Sequence, residues 1–264
     1  MKPIPNSEFR IIIILLSLLA YLCYYLDMNY EMLKDKKLII FDLDGTLIDS
    51  LDTWNKVDAT LVDAIRGDGK TTKQEMQPLR DEALRLFSHS ANPYVDYCGY
   101  LKEKFKSSYT QEEIYKLRYQ IAGELVEKEV HYKPFVPEFI KKLKADGKVL
   151  AIASAAQRKN VEIYRHINKN ILSTAKMDDY FSLILARNDC KEIKPNPEIF
   201  LKVFESFPFK KEETIIFEDS LVGLQAAKRA GIDCAIVYDK HSDYEREEIN
   251  ALADYTIASF EELL

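Results

Sequence analysis

Two aspartates, Asp42 and Asp44, directly follow a short apolar segment, Leu38–Phe41, that is rich in branched side chains. A wholly apolar run of this length predicts a buried strand of a parallel sheet, because a half-exposed strand would alternate apolar and polar residues. In open α/β sheets, reactive groups lie just beyond the carboxyl ends of the strands. The spacing places both carboxylates on one face of an extended chain, where they repel each other unless one is protonated or a cation lies between them.

The two residues after the acids help to distinguish a functional site from an ordinary turn. Gly45 can adopt backbone angles closed to other residues, which allows the chain to turn sharply out of the strand. An acidic turn with no function is the common alternative at such a place. Thr46 and the apolar strand before the acids favour a functional site, and we interpret the segment in that way.

Polar residues also follow two later apolar segments. Residues 149–153 lead into Ser154, and residues 214–217 lead into Glu218 and Asp219. Because the carboxyl ends of parallel strands meet at one edge of a sheet, four acids are expected to converge there, and their repulsion requires a cation. Mg²⁺ prefers carboxylate, carbonyl and water oxygens. A bound metal would also attract phosphate, which explains how a chain of negative net charge could bind an anion.

Two further groups suit a bound phosphate. Lys194 lies in the sequence Lys-Pro-Asn-Pro, whose prolines stiffen the chain, and a lysine held there can act as a point charge on phosphate. Ser154 offers a hydroxyl, and the amides that follow it, beginning with Ala155, lie at an expected helix start, which favours anions. Taken singly, a serine after a strand is usually a helix cap, and such a lysine is usually a solvated surface residue.

The rest of the chain predicts the elements that position these residues. From residue 134 onward helical and strand segments alternate, which is typical of a doubly wound parallel sheet of the α/β class. Residues 53–132 read as helical throughout. We therefore predict a core domain of residues 31–52 and 133–264 and an inserted all-helical cap. The predicted cap helices are 53–65, 73–87, 94–105 and 111–130, and the predicted strands are 38–41, 149–153, 182–186, 214–217, 234–238 and 255–258.

Composition excludes several other classes of protein. The chain has 264 residues, 47% hydrophobic and 30% charged, which is typical of a globular protein, and a formal net charge of −6. That charge and the lack of a basic stripe argue against nucleic acid as a partner. The four cysteines form no CxxC pair and the four histidines show no metal-ligand spacing, so neither a disulfide framework nor a zinc site is indicated. Nothing in the sequence sets the oligomeric state.

Residues 1–30 contain the one membrane-like feature. The stretch from Phe9 to Leu26 carries no charge after Arg10, and its length is near the lower limit of the about 17–25 residues that span a bilayer. No small-residue cleavage site follows, so an uncleaved anchor is favoured over a signal peptide. We predict a cytoplasmic catalytic domain tethered by a single N-terminal helix, although basic residues on both sides set its orientation only weakly. The alternative is a translation start at Met28 or at Met32.

Four segments, in order, resemble the motifs of the haloacid dehalogenase-like hydrolases: FDLDGTLIDS, SAAQRKN, KPNPEIF and FEDSLVGLQAAKRAG. The resemblance is strongest to the subgroup with a helical cap inserted after the first motif, which includes enzymes similar to phosphoglycolate phosphatase and β-phosphoglucomutase. It covers residues 37–264, with the cap matched by position alone. It implies a Rossmann-like core and Mg²⁺-dependent hydrolysis of a small phosphorylated metabolite.

The resemblance also implies a role for each acid. Asp42 would be the nucleophile that becomes an aspartyl phosphate, and Asp44 would be the general acid for the leaving oxygen and then the base for water. Mg²⁺ would be bound by Asp42, the main-chain carbonyl of Asp44 and Asp219, with Glu218 in or beside that shell. The phosphoryl oxygens would be held by Ser154, the amide of Ala155 and Lys194.

Some residues distinguish branches of the family. An acid at Asp44 argues for phosphate chemistry, since dehalogenation needs neither that acid nor Mg²⁺, and Thr46 resembles phosphatases more than phosphomutases. The loop SAAQRKN is longer than its mutase counterpart, so a phosphate role for Lys159 or Asn160 stays open. Trp54 is more typical of core packing than of substrate contact. The alternatives are a sugar phosphomutase and, from another class, a non-catalytic membrane-tethered binding module, although no catalytic acid is missing.

Overall fold

The structure is a computed structural model and describes residues 32–66 and 76–264. The predicted membrane anchor, residues 9–26, lies outside these ranges, as does the segment 67–75. Within the ranges described, no helix has both the length and the apolar character needed to cross a membrane. The anchor therefore stays a prediction.

Strands in the described ranges form one six-stranded parallel sheet and one small antiparallel ribbon. The order in the large sheet is β5-β4-β1-β6-β7-β8, and the ribbon pairs β2 with β3. This arrangement confirms the predicted doubly wound α/β fold. The strands are β1, Leu38–Phe41; β2, Ile48–Asp49; β3, His131–Tyr132; β4, Val149–Ala153; β5, Phe181–Leu185; β6, Thr214–Glu218; β7, Asp233–Val237; and β8, Tyr255–Ile257.

Helices cover both faces of the large sheet and form a separate layer above one edge. Short 3₁₀ turns at Arg187–Asp189, Lys211–Glu213, Lys240–Glu245 and Phe260–Leu263 connect several of them. The helices are α1, Leu51–Ile65; α2, Gln77–Leu86; α3, Pro93–Phe105; α4, Gln111–Glu129; α5, Val136–Ala145; α6, Arg158–His166; α7, Lys169–Thr174; α8, Met177–Tyr180; α9, Glu198–Glu205; α10, Leu221–Ala230; and α11, Arg246–Leu252.

Strand β1 lies at the centre of the sheet, and all four of its residues are buried. It pairs with β4 on one side and with β6 on the other, so that Phe41 lies opposite both Ile152 and Phe217. The ring of Phe41 stacks on that of Phe217, with centroids 5.2 Å apart. A strand covered on both faces has no solvent side, which explains its wholly apolar sequence. The last residue of β1 is thereby fixed at the carboxyl edge of the sheet.

Helices α1 to α4 form the inserted helical layer that the sequence predicted. They enclose a hydrophobic core of their own, which includes Leu61, Leu79, Tyr97 and Leu101. Helix α4 follows the N-cap residue Thr110, whose hydroxyl accepts from the amide of residue 113 in a capping box. The amphipathic pattern of these segments therefore predicted their helices correctly.

The ribbon of β2 and β3 connects the two layers, and the sequence analysis did not predict it. Ile48 pairs with Tyr132 and Asp49 with His131, so the chain leaves the core and returns to it side by side. Each strand has only two residues, which is too short for a pattern of alternation to be read. The ribbon marks the place where the helical layer joins the core.

One local prediction about a phosphate loop was wrong. The helix after Ser154 begins at Arg158, because Gln157 has extended backbone angles and serves as its N-cap. The amide of Ala155 therefore lies in a turn before the helix and not at its start.

Candidate active site

Three acids meet at the carboxyl edge of the sheet. Asp42 continues β1, and its amide donates to the carbonyl of Phe217 on β6 over 2.9 Å. Glu218 ends β6, and Asp219 follows it. Carboxylate oxygens of Asp42, Glu218 and Asp219 all lie within 4.8 Å of one another, and all three residues are buried. The parallel register of β1 and β6 brings these residues together although they are far apart in sequence.

Lys194 lies inside this group of acids. Its ammonium is 2.5 Å from Asp42 Oδ1 and 2.6 Å from Glu218 Oε1, and the residue is only 6% exposed. Burial by itself lowers the pKa of Lys194, but the two carboxylates outweigh burial and raise it above its ordinary value. The lysine is therefore charged at neutral pH and holds two of the acids in place.

Main-chain and side-chain donors fix Glu218. Its second oxygen, Oε2, accepts from the amides of Asp219 and Ser220 over 3.0 and 3.2 Å and from the Ser220 hydroxyl over 3.0 Å. Gly223 in α10 lies directly against the carboxylate, since a Cβ atom there would be 1.9 Å from Glu218. A glycine at this position is required for the carboxylate to fit.

Gly45 and Lys133 shape the opposite side of the acid group. Gly45 has a φ of +90°, and a Cβ atom there would lie 2.4 Å from Asp219 Oδ2. Its carbonyl accepts from the Lys133 ammonium over 2.5 Å, and the same ammonium is 2.6 Å from Asp239. Thr46 donates to Asp219 over 2.8 Å. The turn after β1 is therefore packed tightly around Asp219.

The group of three acids and Lys194 has an unbalanced negative charge. When ionised, the carboxylates of Asp42, Glu218 and Asp219 and the ammonium of Lys194 sum to −2. Burial raises the pKa of Asp42 to about 7, even against the charge of Lys194, and it raises the pKa of Asp219 as well. Three buried oxygen donors with an unbalanced charge of −2 are chemically suited to a divalent cation such as Mg²⁺. The residues therefore fit the predicted metal.

Asp44 lies apart from the three clustered acids. Its Oδ1 accepts from the hydroxyl of Ser50 over 2.6 Å and from that of Tyr164 over 3.0 Å. Burial raises the pKa of Asp44, although hydrogen bonds from Ser50, Tyr164 and Trp54 act against that shift. A carboxyl group with a raised pKa can donate a proton at a higher pH than an ordinary aspartic acid.

All seven predicted site residues line one cavity of about 150 Å³. Ser154 is 1% exposed, and its hydroxyl accepts from the amide of Ala156 over 3.0 Å. Asn160 is buried and also lines the cavity, whereas Lys159 lies with its ammonium 3.0 Å from the centre of the Tyr119 ring. The seven residues, which line the side of the cavity formed by the core, are Asp42, Asp44, Ser154, Ala155, Lys194, Glu218 and Asp219.

The helical layer lines the other side of the cavity with a second buried group of charges. Asp58 in α1 is fully buried and is 2.5 Å from an Nη of Arg80. Arg118 in α4 donates to the same carboxylate from Nε over 2.6 Å and from Nη2 over 3.3 Å. Both arginines line the cavity. This group, which we call the cap cluster, carries one negative and two positive charges.

Aromatic rings surround Arg118. Its guanidinium carbon lies 4.7 Å from the ring centre of Trp54 and between 5.6 and 5.9 Å from those of Tyr94, Tyr97 and Tyr119. Trp54 is 7% exposed and lines the cavity while it also packs in the core. These rings hold the guanidinium in one orientation.

The sequence analysis missed Asp58, Arg80, Arg118, Tyr164 and Lys133. One signal was available for the cap cluster, because Asp58 lies on the buried stripe of α1 that includes Trp54 and Leu61. A charged residue on an apolar stripe indicates a buried partner. No spacing in the sequence identifies that partner, since Arg80 and Arg118 are 22 and 60 residues away.

Residues 39–237 match the family model described as haloacid dehalogenase-like hydrolase. YhcW of Bacillus subtilis is 31% identical over 141 residues, which cover 53% of this chain and 60% of that relative. The phosphoglycolate phosphatase of Aquifex aeolicus is 29% identical over 203 residues, which cover 76% of this chain and 84% of that enzyme. The match thus spans less than two thirds of the Bacillus protein but most of the Aquifex one.

A solved structure resembles the whole described fold. It is that of CbbY from Rhodobacter sphaeroides in complex with phosphate, with a TM-score of 0.68 and 24% sequence identity. The superposition covers 86% of this chain and 96% of that one. At this identity the likeness shows a common fold.

Proposed function

This chain belongs to the haloacid dehalogenase-like hydrolases, and on that premise we propose that it is a Mg²⁺-dependent phosphatase that hydrolyses a small phosphorylated metabolite. The observation that carries the proposal is the buried group of Asp42, Glu218 and Asp219 bridged by Lys194, with Asp44 and Ser154 lining the same cavity. Such a group places an ammonium and a set of metal-binding carboxylates around a phosphoryl group. Catalysis of phosphoryl transfer depends mainly on the positions and charges of such groups.

Each proposed role follows from a position in the cavity. Asp42 attacks phosphorus and forms an aspartyl phosphate, which divides a difficult hydrolysis into two steps. Asp44 donates a proton to the leaving oxygen and then accepts one from the attacking water. Lys194 and the Ser154 hydroxyl, with the amide of Ala155, hold phosphoryl oxygens.

Asp42, Asp219 and the carbonyl of Asp44 would hold Mg²⁺, with Glu218 in or beside that shell. When bound, the ion would offset the charge of the acids and of the phosphoryl oxygens. The main-chain donors on Glu218 and the packing of Gly45 against Asp219 support this assignment, because they keep both carboxylates aimed at one place.

We propose that residues 31–52 and 133–264 act as the core domain and that residues 53–132 act as the cap. The ribbon of β2 and β3 supports this division, since both connections between the two parts run through it. Closure of the cap over the cavity would exclude bulk water while Asp42 displaces the leaving group from phosphorus. We place this catalytic unit in the cytoplasm, and its tethering through residues 9–26 stays a prediction.

The cap cluster supports a substrate with a second anionic group. Its one carboxylate cannot balance two guanidiniums, and Arg80 and Arg118 both line the cavity. Burial lowers the pKa of Lys159, and the nearby charge of Arg118 lowers it further. A carboxylate or second phosphate at the far end of the substrate would compensate the excess charge of the cap cluster.

The deciding experiment measures release of phosphate from p-nitrophenyl phosphate. Asp42→Asn should abolish turnover, and EDTA should do the same until Mg²⁺ is restored, because both remove a group required for transfer to Asp42. The matched control is Asp233→Asn, which changes an aspartate at the opposite edge of the sheet, paired with Lys36, and should remain active.

Full activity of Asp42→Asn, or of the wild type in EDTA, would reject the proposal. Accumulation of an isomeric sugar phosphate in place of free phosphate would instead identify a phosphomutase. Binding of phosphorylated compounds without any turnover would identify a non-catalytic module.

A further inference from the structure

Asp44 is held by two hydroxyl groups that come from different parts of the fold. Ser50 precedes α1, where the helical layer begins, and Tyr164 lies in α6 of the core. Both donate to the same oxygen, Oδ1, over 2.6 and 3.0 Å. Tyr164 is fully buried, and its hydroxyl is directed at this carboxylate across 120 residues of sequence. The arrangement is therefore a product of the tertiary structure.

These donors decide which oxygen of Asp44 can carry the proton. A carboxylate oxygen that accepts two hydroxyl hydrogen bonds is stabilised in its unprotonated form, so a proton is better placed on Oδ2. The terminal torsion of an aspartate is broad, and without such contacts the two oxygens would exchange places. A general acid works only when its proton lies within hydrogen-bond reach of the leaving oxygen.

We propose that Tyr164 is a positioning residue for Asp44: its phenol holds Oδ1 and thereby presents Oδ2 to the leaving group. This inference depends on the proposed phosphatase function, because it gives Asp44 the role of general acid. Tyr164 itself does not touch the phosphoryl group and acts only through Asp44. Ser50 shares the task from the side of the cap.

Another buried tyrosine shows what a purely structural phenol looks like in the same fold. Tyr132 is 9% exposed, and its hydroxyl donates to the carbonyl of Ala175 over 2.8 Å. That bond ties the Tyr132 side chain to the main chain at Ala175 and involves no residue of the cavity. A comparison of variants at Tyr164 and Tyr132 therefore distinguishes the loss of the contact to Asp44 from the loss of any buried phenol hydrogen bond.

The test compares Tyr164→Phe with the wild type on aryl phosphates whose leaving groups range from p-nitrophenol to phenol. An acidic leaving group departs with little help from a general acid, whereas a basic one needs its proton. General acid–base catalysis contributes about 10²–10⁴-fold, so we expect kcat/KM for phenyl phosphate to fall about 10-fold more than that for p-nitrophenyl phosphate. An equal fall for all the esters would overturn the proposal and assign Tyr164 a structural role.

Three variants complete the experiment. Tyr132→Phe should keep the wild-type dependence on the leaving group, whatever it does to stability. Ser50→Ala should steepen that dependence and Ser50→Thr should restore it, and these two changes test the same oxygen if Tyr164→Phe does not fold. Wild-type protein that releases no phosphate from any ester would refute the phosphatase function, an outcome distinct from an unchanged leaving-group dependence.

Discussion

Two buried groups of charges face each other across one cavity, and they are built in opposite ways. The rim of the sheet carries three carboxylates, Asp42, Glu218 and Asp219, around the single ammonium of Lys194. The cap cluster carries two guanidiniums around one carboxylate, Asp58. The rim is therefore short of positive charge, and the cap cluster is short of negative charge.

This difference indicates what each wall of the cavity needs. Uncompensated charges away from water are costly, so each group is most stable when a ligand supplies the missing sign. A divalent cation would do so at the rim, and an anionic end of the substrate would do so at the cap. The phosphoryl group would lie toward the rim, and the part of the substrate that gives specificity would lie toward the cap.

The largest expected effect tests how strongly the cap cluster depends on its one acid. Asp58→Ala removes the carboxylate that both buried guanidiniums share and should lower the free energy of unfolding by about 3–5 kcal/mol. Urea denaturation measures this change. The control is Asp52→Ala in the same helix, whose carboxylate is 63% exposed beside Lys240 and whose loss should cost about 0–1 kcal/mol. Similar losses for both variants would show that the cap cluster is not held by Asp58.

The next effect tests the excess positive charge. Two alkyl phosphates that differ only at the far end, one a carboxylate and the other a carboxamide, would be compared by kcat/KM. Hydrogen bonds to charged groups contribute about 1.5–3 kcal/mol, so Arg118→Gln should lower the preference for the carboxylate about 10–100-fold. Lys116→Gln removes the same charge from the exposed side of α4 and should keep the preference. A wild type that prefers the carboxamide would refute the second anionic group.

The smallest expected effect is a difference in how the stabilities of the rim and of the cap cluster depend on pH. Because burial holds the pKa of Asp42 at about 7 in the folded chain, its contribution to stability is complete below the unfolded value of 3.8 and is lost as the pH rises through about 7. Burial also raises the pKa of Asp58, but Arg118 and Arg80 outweigh it and lower that pKa, so Asp58 contributes fully above its unfolded value and loses its contribution only in acid.

In EDTA, Tm should therefore fall by about 5 °C between pH 5.5 and pH 8. Mg²⁺ should raise Tm more at pH 8 than at pH 5.5, because metal and proton compete for the same oxygens at the rim. Thermal unfolding with and without Mg²⁺ at the two pH values measures both changes. A stabilisation by Mg²⁺ that does not depend on pH would argue against a metal bound by Asp42.

Hydrophobic patterns in the sequence were sufficient to predict the regular secondary structure. The apolar run of β1 and the alternation after residue 134 predicted the parallel sheet, because a strand buried on both faces leaves a continuous apolar signature. The segments between β2 and β3 predicted the helical layer, because a helix buried on one side repeats its apolar residues at helical spacing. The short ribbon was missed, since it depends on only a few backbone angles, and the amide of Ala155 was wrongly placed at the start of α6.

The rim of the site was also predictable, because a rule of topology connects sequence to space there. Residues that follow the parallel strands must meet at one edge, so Asp42, Ser154 and Glu218 could be placed together in advance. The structure brings them to one cavity together with Lys194. Their chemical roles stay predictions until turnover is measured.

The sequence by itself therefore determined the fold class, the helical insertion and the acidic rim, because these follow from periodicity and strand order. Only the tertiary structure decided the distant partners of Asp58 and Asp44, which are Arg80, Arg118 and Tyr164. Helices carry no rule that fixes which side chains meet across 60 or 120 residues, since packing angles and rotamers choose the contacts. The side of the cavity formed by the cap cluster is thus the part of the site that the sequence did not predict.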